Sequence, residues 1–380
     1  MPELTDGVLR LRGHTEADLP GVVAQARDPE SVRWTTVPVP YAEADAHTWA
    51  LEVIPAGWRD GSSYSFAIEE VATGAFCGTV DVRPRDPGAA EVGYGLAPAA
   101  RGRGLMTRAL GLAADWAFAP VDLGGLGLEV LHWQAHVGNW ASRRVAWRLG
   151  FRVEGAVRGL CGQRGELHDA WVGSLRRDDS RLPVNRWIEA PVLHGRGLVL
   201  RPWRESDASA VVEACTDPVS RRWLPELPEP YDEPVALEFV RSREGEHAEG
   251  RALHLAAAAD EHGPAIGSFS VGGLDSRPGA APGSGEIGYW MHPGARGSGV
   301  ATEAVRLLVR HAFVPAADAG LGLRRLVVRA ATGNRASQLV AERNGFVRVG
   351  RQRQALPRRD GEPDDLVYFD LLAHEHPVAG

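Results

Sequence analysis

The chain has 380 residues, 44% of them hydrophobic and 24% charged, with a formal net charge of −7. That composition describes a soluble globular protein long enough for two domains, and the negative balance excludes a global electrostatic footprint for nucleic acid. Cys77, Cys161 and Cys215 are scattered without metal-ligand spacing, the histidines form no metal pattern, and no run approaches about 18 apolar residues, so the expectation is a cytoplasmic protein with no metal and no membrane partner.

In chain order, Val8–Arg12 reads as a short strand. Thr15-Glu-Ala-Asp18 supplies an N-cap and an acidic first turn, starting a helix that Asp28-Pro29 breaks. A second helix is expected over Ala42–Val53. Ser65–Glu69, Phe76–Val82 and Glu91–Leu96 read as strands, followed by a glycine turn and an amphipathic helix, Leu105–Phe118. A buried strand, Leu126–Gln134, leads to a helix, Trp140–Leu149, with Gly150 in the C-cap position. Two strands close the unit. Arg176–Leu193 is polar and proline-bearing, which sets a linker at 179–192 between domains 1–178 and 193–375.

The series then repeats. Leu198–Arg201, a helix broken at Asp217-Pro218, a helix over Pro234–Glu244 and strands Leu253–Ala258, Ile266–Val271 and Glu286–Met291 follow. Next come a helix Val300–Phe313, a strand Leu323–Arg329 and a helix Arg335–Asn344 ending at Gly345. Gly272–Gly285 reads as an inserted loop. Glu91–Gly104 (EVGYGLAPAARGRG) and Glu286–Gly299 (EIGYWMHPGARGSG) share 8 of 14 positions, and Asn139–Phe151 and Asn334–Phe346 share 8 of 13, both at an offset of 195. A period this long is a duplicated domain rather than a solenoid repeat.

The repeated pieces carry chemistry-bearing residues. Arg101-Gly102-Arg103-Gly104 and Arg296-Gly297-Ser298-Gly299 stand between a strand and a helix start, where glycine lets backbone approach a phosphate and first-turn N–H groups point at it. A flanking arginine would add charge-assisted hydrogen bonds. A tight connection alone would also ask for glycine. Asn139 and Asn334 are good N-caps, and Ser142 and Ser337 fall in the first turn behind them.

These residues resemble the GNAT N-acetyltransferases, whose pyrophosphate motif is Arg/Gln-x-x-Gly-x-Gly/Ala. Arg296, Gly299 and Ala301 satisfy it; Arg101 and Gly104 do so with Met106 in the last place. The string EIGYW…P…RGxGxAT with NxxS…NGF behind it is most similar to the branch containing the ribosomal-protein-alanine acetyltransferases. The resemblance implies two tandem acyl-CoA N-acyltransferase domains of α/β (mixed-sheet α+β) class. It implies acetyl-CoA as cosubstrate and no metal, with Met106, Thr107, Asn139, Ala301, Thr302 and Asn334 joining the two glycine turns in holding it.

The activity so implied is direct acetyl transfer to a primary amine, in a protein N-terminus or a small molecule, by a monomer or homodimer. An aminated antibiotic or metabolite is the alternative acceptor, and one half as a non-catalytic acyl-CoA-binding or scaffold module is the alternative role. The acceptor must lose a proton before its lone pair attacks. Glu91 and Glu286, on the central strand, are the candidate bases. Ser142 and Ser337 are the candidate proton donors to the departing thiolate, with Tyr94 and Tyr289 as rivals. Because Met106 replaces a small residue, the second half is expected to be the tighter acetyl-CoA site.

Overall fold

A computed structural model describes residues 1–277, 283–358 and 361–376. The chain divides into two compact units, Met1–Val184 and Asn185–Gly380. In the first, eight strands form one sheet in the order β1-β2-β3-β4-β5-β6-β8-β7. They are β1 Leu4–Thr5, β2 Leu9–Arg12, β3 Tyr64–Glu70, β4 Ala75–Pro84, β5 Ala89–Leu96, β6 Val130–His136, β7 Arg152–Gln163 and β8 Glu166–Arg176. Every neighbouring pair is antiparallel except β5 and β6.

Alternation explains the sheet locally. Leu9 and Leu11 are fully buried while Arg10 and Arg12 face the other way, the period of two that one covered face requires. The helix α5, Leu105–Phe118, lays Leu105, Met106, Ala109, Leu110, Ala113 and Ala117 into the core under β2, β4 and β5. The other helices are α1 Leu19–Arg27, α2 Pro29–Trp34, α3 Glu43–Thr48, α4 Ile54–Asp60 and α6 Trp140–Arg148.

The second unit repeats the plan. Its strands are β9 Leu193–Gly195, β10 Leu198–Arg201, β11 Leu253–Ala258, β12 Gly267–Gly272, β13 Ser284–Met291, β14 Arg325–Ala331, β15 Val347–Arg358 and β16 Gly361–Leu372. They form one sheet ordered β9-β10-β11-β12-β13-β14-β16-β15, with β13 and β14 the parallel pair. Its helices are α7 Ala208–Thr216, α8 Pro218–Trp223, α9 Glu233–Ala248, α10 Val300–Phe313 and α11 Arg335–Arg343.

Three local differences from the sequence reading have physical causes. The helix expected over Ala42–Val53 continues through a wider helical turn, Trp49–Val53, into α4, and Gly61 at φ 77° ends it. Pro55 lacks the N–H that regular α-helical pairing needs, and a wide turn accommodates that. The strand expected from Leu126 starts only at Val130, because Gly127 adopts φ 63° and ties its N–H to Ala119 O. The residues Asn185–Ile188, inside the stretch read as linker, belong to the second unit. Asn185 Nδ2 donates to Ala248 O at 2.7 Å, Arg186 donates to Leu321 and Gly320 carbonyls at 3.0 Å each, and Ile188 is buried. Of the loop Gly272–Gly285, residues 278–282 lie outside those described.

Candidate active site

The parallel pair in each unit stops pairing partway. β5 and β6 run in register from Ala89/Val130 to Val92/Trp133, and Gly93–Leu96 continue without a partner on that side. β13 and β14 pair from Ser284/Arg325 to Glu286/Val327, and Ile287–Met291 continue likewise. An unpaired strand edge exposes N–H and C=O groups that seek partners. An extended ligand with amides of its own can supply them.

The two helices that follow each strand of the pair begin beside this opening. Gly104 and Gly299 cap α5 and α10 in the left-handed region, at φ 74° and 84°, and Gly102 and Gly297 sit at 73° and 75°. A Cβ placed on any of the four would meet no atom within 4 Å, so the turn faces open space. Glycine is needed for the backbone angle, and the first-turn N–H groups of Leu105–Thr107 and Val300–Thr302 have no intrahelical acceptor. The arrangement fits an anionic group at the positive end of a helix.

The arginines of these turns are used differently from the expectation. Arg101 Nη2 donates to Asp28 Oδ2 at 2.6 Å, to Ser31 Oγ at 3.2 Å and to Leu96 O at 3.2 Å. Arg296 repeats the pattern on Asp217 Oδ2 (2.6 Å), Ser220 Oγ (2.8 Å) and Met291 O (3.3 Å). Asp28 and Asp217 also cap α2 and α8 through the N–H groups of Ser31 and Ser220. Burial works against the Asp28 carboxylate, yet the Arg101 and Ser31 hydrogen bonds hold it below the usual carboxylate range, and Asp217 behaves alike. Arg103 is paired with Glu70. Arg101 and Arg296 therefore clamp the turns to neighbouring helix caps, and the positive charge these turns present is that of the helix ends.

Asn139 Oδ1 accepts from Ser142 N at 3.1 Å, and Asn334 Oδ1 from Ser337 N at 3.2 Å, so both are N-caps. Met106 points into the core, 5% exposed, and leaves its backbone at the turn. That removes the steric reason for ranking the second unit as the tighter site. Trp140 packs against Trp171, ring centroids 4.5 Å apart.

The opening is bridged by hydroxyls. Ser142 Oγ donates to Tyr94 Oη at 3.0 Å, Tyr94 Oη donates to Ser142 O at 3.0 Å, and Trp133 Nε1 donates to Ser142 Oγ at 3.0 Å. In the second unit Tyr289 Oη and Ser337 Oγ lie 2.9 Å apart. Val328 stands in the place of Trp133, so no indole joins there. Burial pushes the Tyr94 phenol above its ordinary value and the Tyr289 phenol up to about 12. Both remain protonated near neutrality and can donate.

Glu91 accepts from Arg83 Nη2 at 2.8 Å and Arg85 Nη2 at 2.9 Å; Glu286 accepts from Arg329 Nε at 2.7 Å. Each carboxylate stands where its strand pair opens, already paired with arginine. The sequence reading did not single out Asp81, which pairs in register with Gly93. Alternation along β4 was the signal that could have placed it on the face of Glu91. A roof completes each site: Trp34 packs over Gly138 and Trp223 over Gly333, the residues before the two Asn caps. In the first unit Gln163 Nε2 donates to Thr35 O at 2.6 Å and Arg164 Nη2 to Val37 O at 3.0 Å, tying the β7–β8 turn to the loop after α2.

Two units, each with an opened parallel strand pair between two helix N-termini, define a duplicated mixed-sheet α/β fold. A family model described as acetyltransferase (GNAT) domain matches residues 9–152 and again 197–347, most of the chain. The chain belongs to this GNAT acetyltransferase family, with the domain present twice. It is 41% identical over 90 residues to the Bacillus subtilis (strain 168) protein named "Putative ribosomal N-acetyltransferase YdaF", covering 24% of this chain and 46% of that one. It is 35% identical over 87 residues to the ribosomal-protein-serine acetyltransferase of Escherichia coli (strain K12), covering 23% and 46%. The chain spans about half the length of the curated relatives it matches. Among solved structures it is similar to Mycobacterium smegmatis RimJ in complex with CoA-disulfide, at 22% identity and TM-score 0.42, over 51% of this chain and 91% of that one. Among the described residues, no helix is long and apolar enough to cross a membrane, and no group of three His, Cys, Asp or Glu side chains is placed to hold a metal.

Proposed function

We propose that the protein transfers acetyl from acetyl-CoA to a primary amine by direct attack within a ternary complex. The observation that carries the reading is the parallel pair that opens after Val92/Trp133 beside two helix N-termini, repeated after Glu286/Val327. Membership in the GNAT family gives that geometry its chemical sense, and the named activities of the two curated relatives favour a protein amine as acceptor.

In this reading, residues 102–107 and 297–302 hold the pyrophosphate through backbone N–H groups, and the open edges of β5 and β13 pair with the pantetheine amides. Nδ2 of Asn139 and Asn334 is a further donor. Acetyl-CoA supplies an electrophilic thioester carbonyl. The protein's part is to hold the amine near it, remove a proton, offer a backbone N–H to developing negative charge and return a proton to sulfur. Tyr94 with Ser142, and Tyr289 with Ser337, are hydroxyl pairs able to return that proton.

Calorimetry with acetyl-CoA tests the first step. Binding is expected in the wild type, and Gly299→Glu should abolish the contribution of the second unit by placing a negative side chain where the helix end faces open space. A wild type that gives neither heat nor a thermal shift with acetyl-CoA or CoA would sink the reading.

A further inference from the structure

The faces of the two central strands opposite α5 and α10 are built differently, although the chain is a repeat. In the first unit this face of β5 shows Glu91, Gly93 and Gly95, and β4 sets Arg83, Asp81 and Thr79 against them in register. A Cβ built on Gly93 would lie 2.7 Å from Arg83 Nη2 and 2.9 Å from both Asp81 carboxylate oxygens, and one built on Gly95 would lie 2.7 Å from Gln25 Nε2. Asp81 and its ion-pair partner Arg83 therefore lean together over Gly93, the first residue past the last pair of the opened strands, and Gln25 of α1 leans over Gly95.

Polar atoms here lack hydrogen-bond partners among the described residues. Asp81 Oδ1, Gln25 Oε1 and His14 Nδ1 are buried and have no hydrogen bond among the described residues. Arg83 Nε lies 3.0 Å from Asp81 Oδ1 as an ion pair without hydrogen-bond alignment. His14 Nε2 is 3.1 Å from Thr79 Oγ1, and the ring tautomer sets which of the two donates. A buried acceptor without a well-aligned donor is costly, so Gln25 Oε1 and Asp81 Oδ1 on one face favour a donor-rich occupant. A primary ammonium brings three N–H donors and would share the Asp81 carboxylate with Arg83.

The second unit keeps Glu286 and Gly288 but lacks the Asp, Gln and His of this face. Trp290 stands at the position of Gly95 and Ala214 at that of Gln25, the same offset that relates Asp28 to Asp217. Trp203 takes the place of His14, and its ring centroid lies 6.1 Å from that of Trp290 and 5.5 Å from that of Phe239. These rings pack on the cluster of Val211, Tyr231, Ala236 and Val240. Ser270 pairs with Gly288 where Asp81 pairs with Gly93, and its hydroxyl donates back to Gly288 O at 3.2 Å.

We infer that the first unit alone receives the acceptor amine, as an ammonium held by Asp81 over Gly93 with Gln25 and His14 beside it, while Trp290 on Trp203 fills the equivalent space in the second. Asp81 takes the first proton of the ammonium. The freed nitrogen lone pair bonds to the thioester carbonyl carbon and the carbon–sulfur bond breaks. The second amine proton ends on the thiolate, giving amide and free thiol, and Asp81 releases its proton to water. The second unit binds acetyl-CoA without an acceptor.

The inference rests on the proposed acetyl transfer, and the full-length chain tests the two separately. The acceptors are synthetic peptides with free Ala, Ser or Met N-termini and 1,4-diaminobutane, and the readout is free thiol from acetyl-CoA. A wild type that binds acetyl-CoA but acetylates no member of this panel overturns the transfer reading, and this inference with it. Given wild-type transfer, Asp81→Asn should lower kcat/KM at least ~10²-fold, the scale of a lost proton acceptor, with acetyl-CoA affinity unchanged. Arg83 keeps Glu91 as its partner in that variant, so no cation is stranded. Should Asp81→Asn fail to fold, the double variant Gln25→Ala with Gly95→Trp, which copies the second unit, should bind acetyl-CoA and transfer nothing. Gly104→Glu should retain acetyl-CoA binding in the second unit while transfer falls below about a tenth. Transfer by Gly104→Glu at about half the wild-type rate, or an Asp81→Asn change under threefold, would overturn it.

Discussion

Ser142 and Ser337 occupy the same place in the repeat and carry different loads. Ser142 Oγ is the acceptor for Trp133 Nε1, and Trp133 is 1% exposed. Its removal strands a buried indole N–H, at a cost of about 1–3 kcal/mol. Ser337 has no such neighbour, since Val328 replaces the tryptophan. Ser142→Ala should therefore lower the melting temperature of the chain more than Ser337→Ala, as calorimetric unfolding will read. If the Ser142 hydroxyl is the proton donor, Ser142→Ala should lose ~10²–10⁴-fold in turnover with acetyl-CoA binding nearly intact. A change under threefold would leave Tyr94, whose phenol burial keeps protonated, as the donor.

At the scale of elements, the glycine turn before α10 and the cap of α8 are mechanically joined. Asp217 Oδ2 accepts from Ser220 N at 2.9 Å, capping α8, and from Arg296 Nη2 at 2.6 Å, fixing the glycine turn before α10. One carboxylate thus holds two elements, and Asp28 repeats the device. Asp217→Ala should cost about 1–2 kcal/mol through the lost cap and charged hydrogen bond, and should weaken acetyl-CoA binding in the second unit by loosening the turn. Asp217→Asn keeps the cap oxygen and should recover part of the stability. Thermal unfolding with a calorimetric titration separates the two effects, and full stability with unchanged affinity in Asp217→Ala would show that the clamp holds nothing.

At the scale of the whole molecule, each unit has its own core and sheet, and the unit boundary lies between Val184 and Asn185. Residues before the first strand of the second unit are part of its packing, with Ile188 3% exposed and Trp187 7% exposed. Covering a side chain such as Ile188 is worth about 1.5–3 kcal/mol. A fragment of residues 185–380 should therefore unfold at higher denaturant than one of residues 192–380. Equal midpoints would show that Asn185–Ile188 contribute nothing to the fold.

The duplication, the element order and the glycine turns were legible from residue types alone, because helix caps, strand alternation and left-handed glycines are local properties. Gly102, Gly104, Gly150 and their counterparts adopt the backbone angles that only local chemistry demands. The partners of charged groups were not legible. Arg101 and Asp28 stand 73 residues apart, and nothing between them announces that the arginine turns toward a helix cap. Asp81 gained its meaning only when antiparallel pairing set it beside Gly93, at the point where two parallel strands part. Likewise, Gly95 and Trp290 look like a neutral difference within a repeat until folding places Gln25 against one and Trp203 against the other. Periodicity is written along the chain, whereas the neighbours of a side chain across a sheet depend on register, which the assembled core selects.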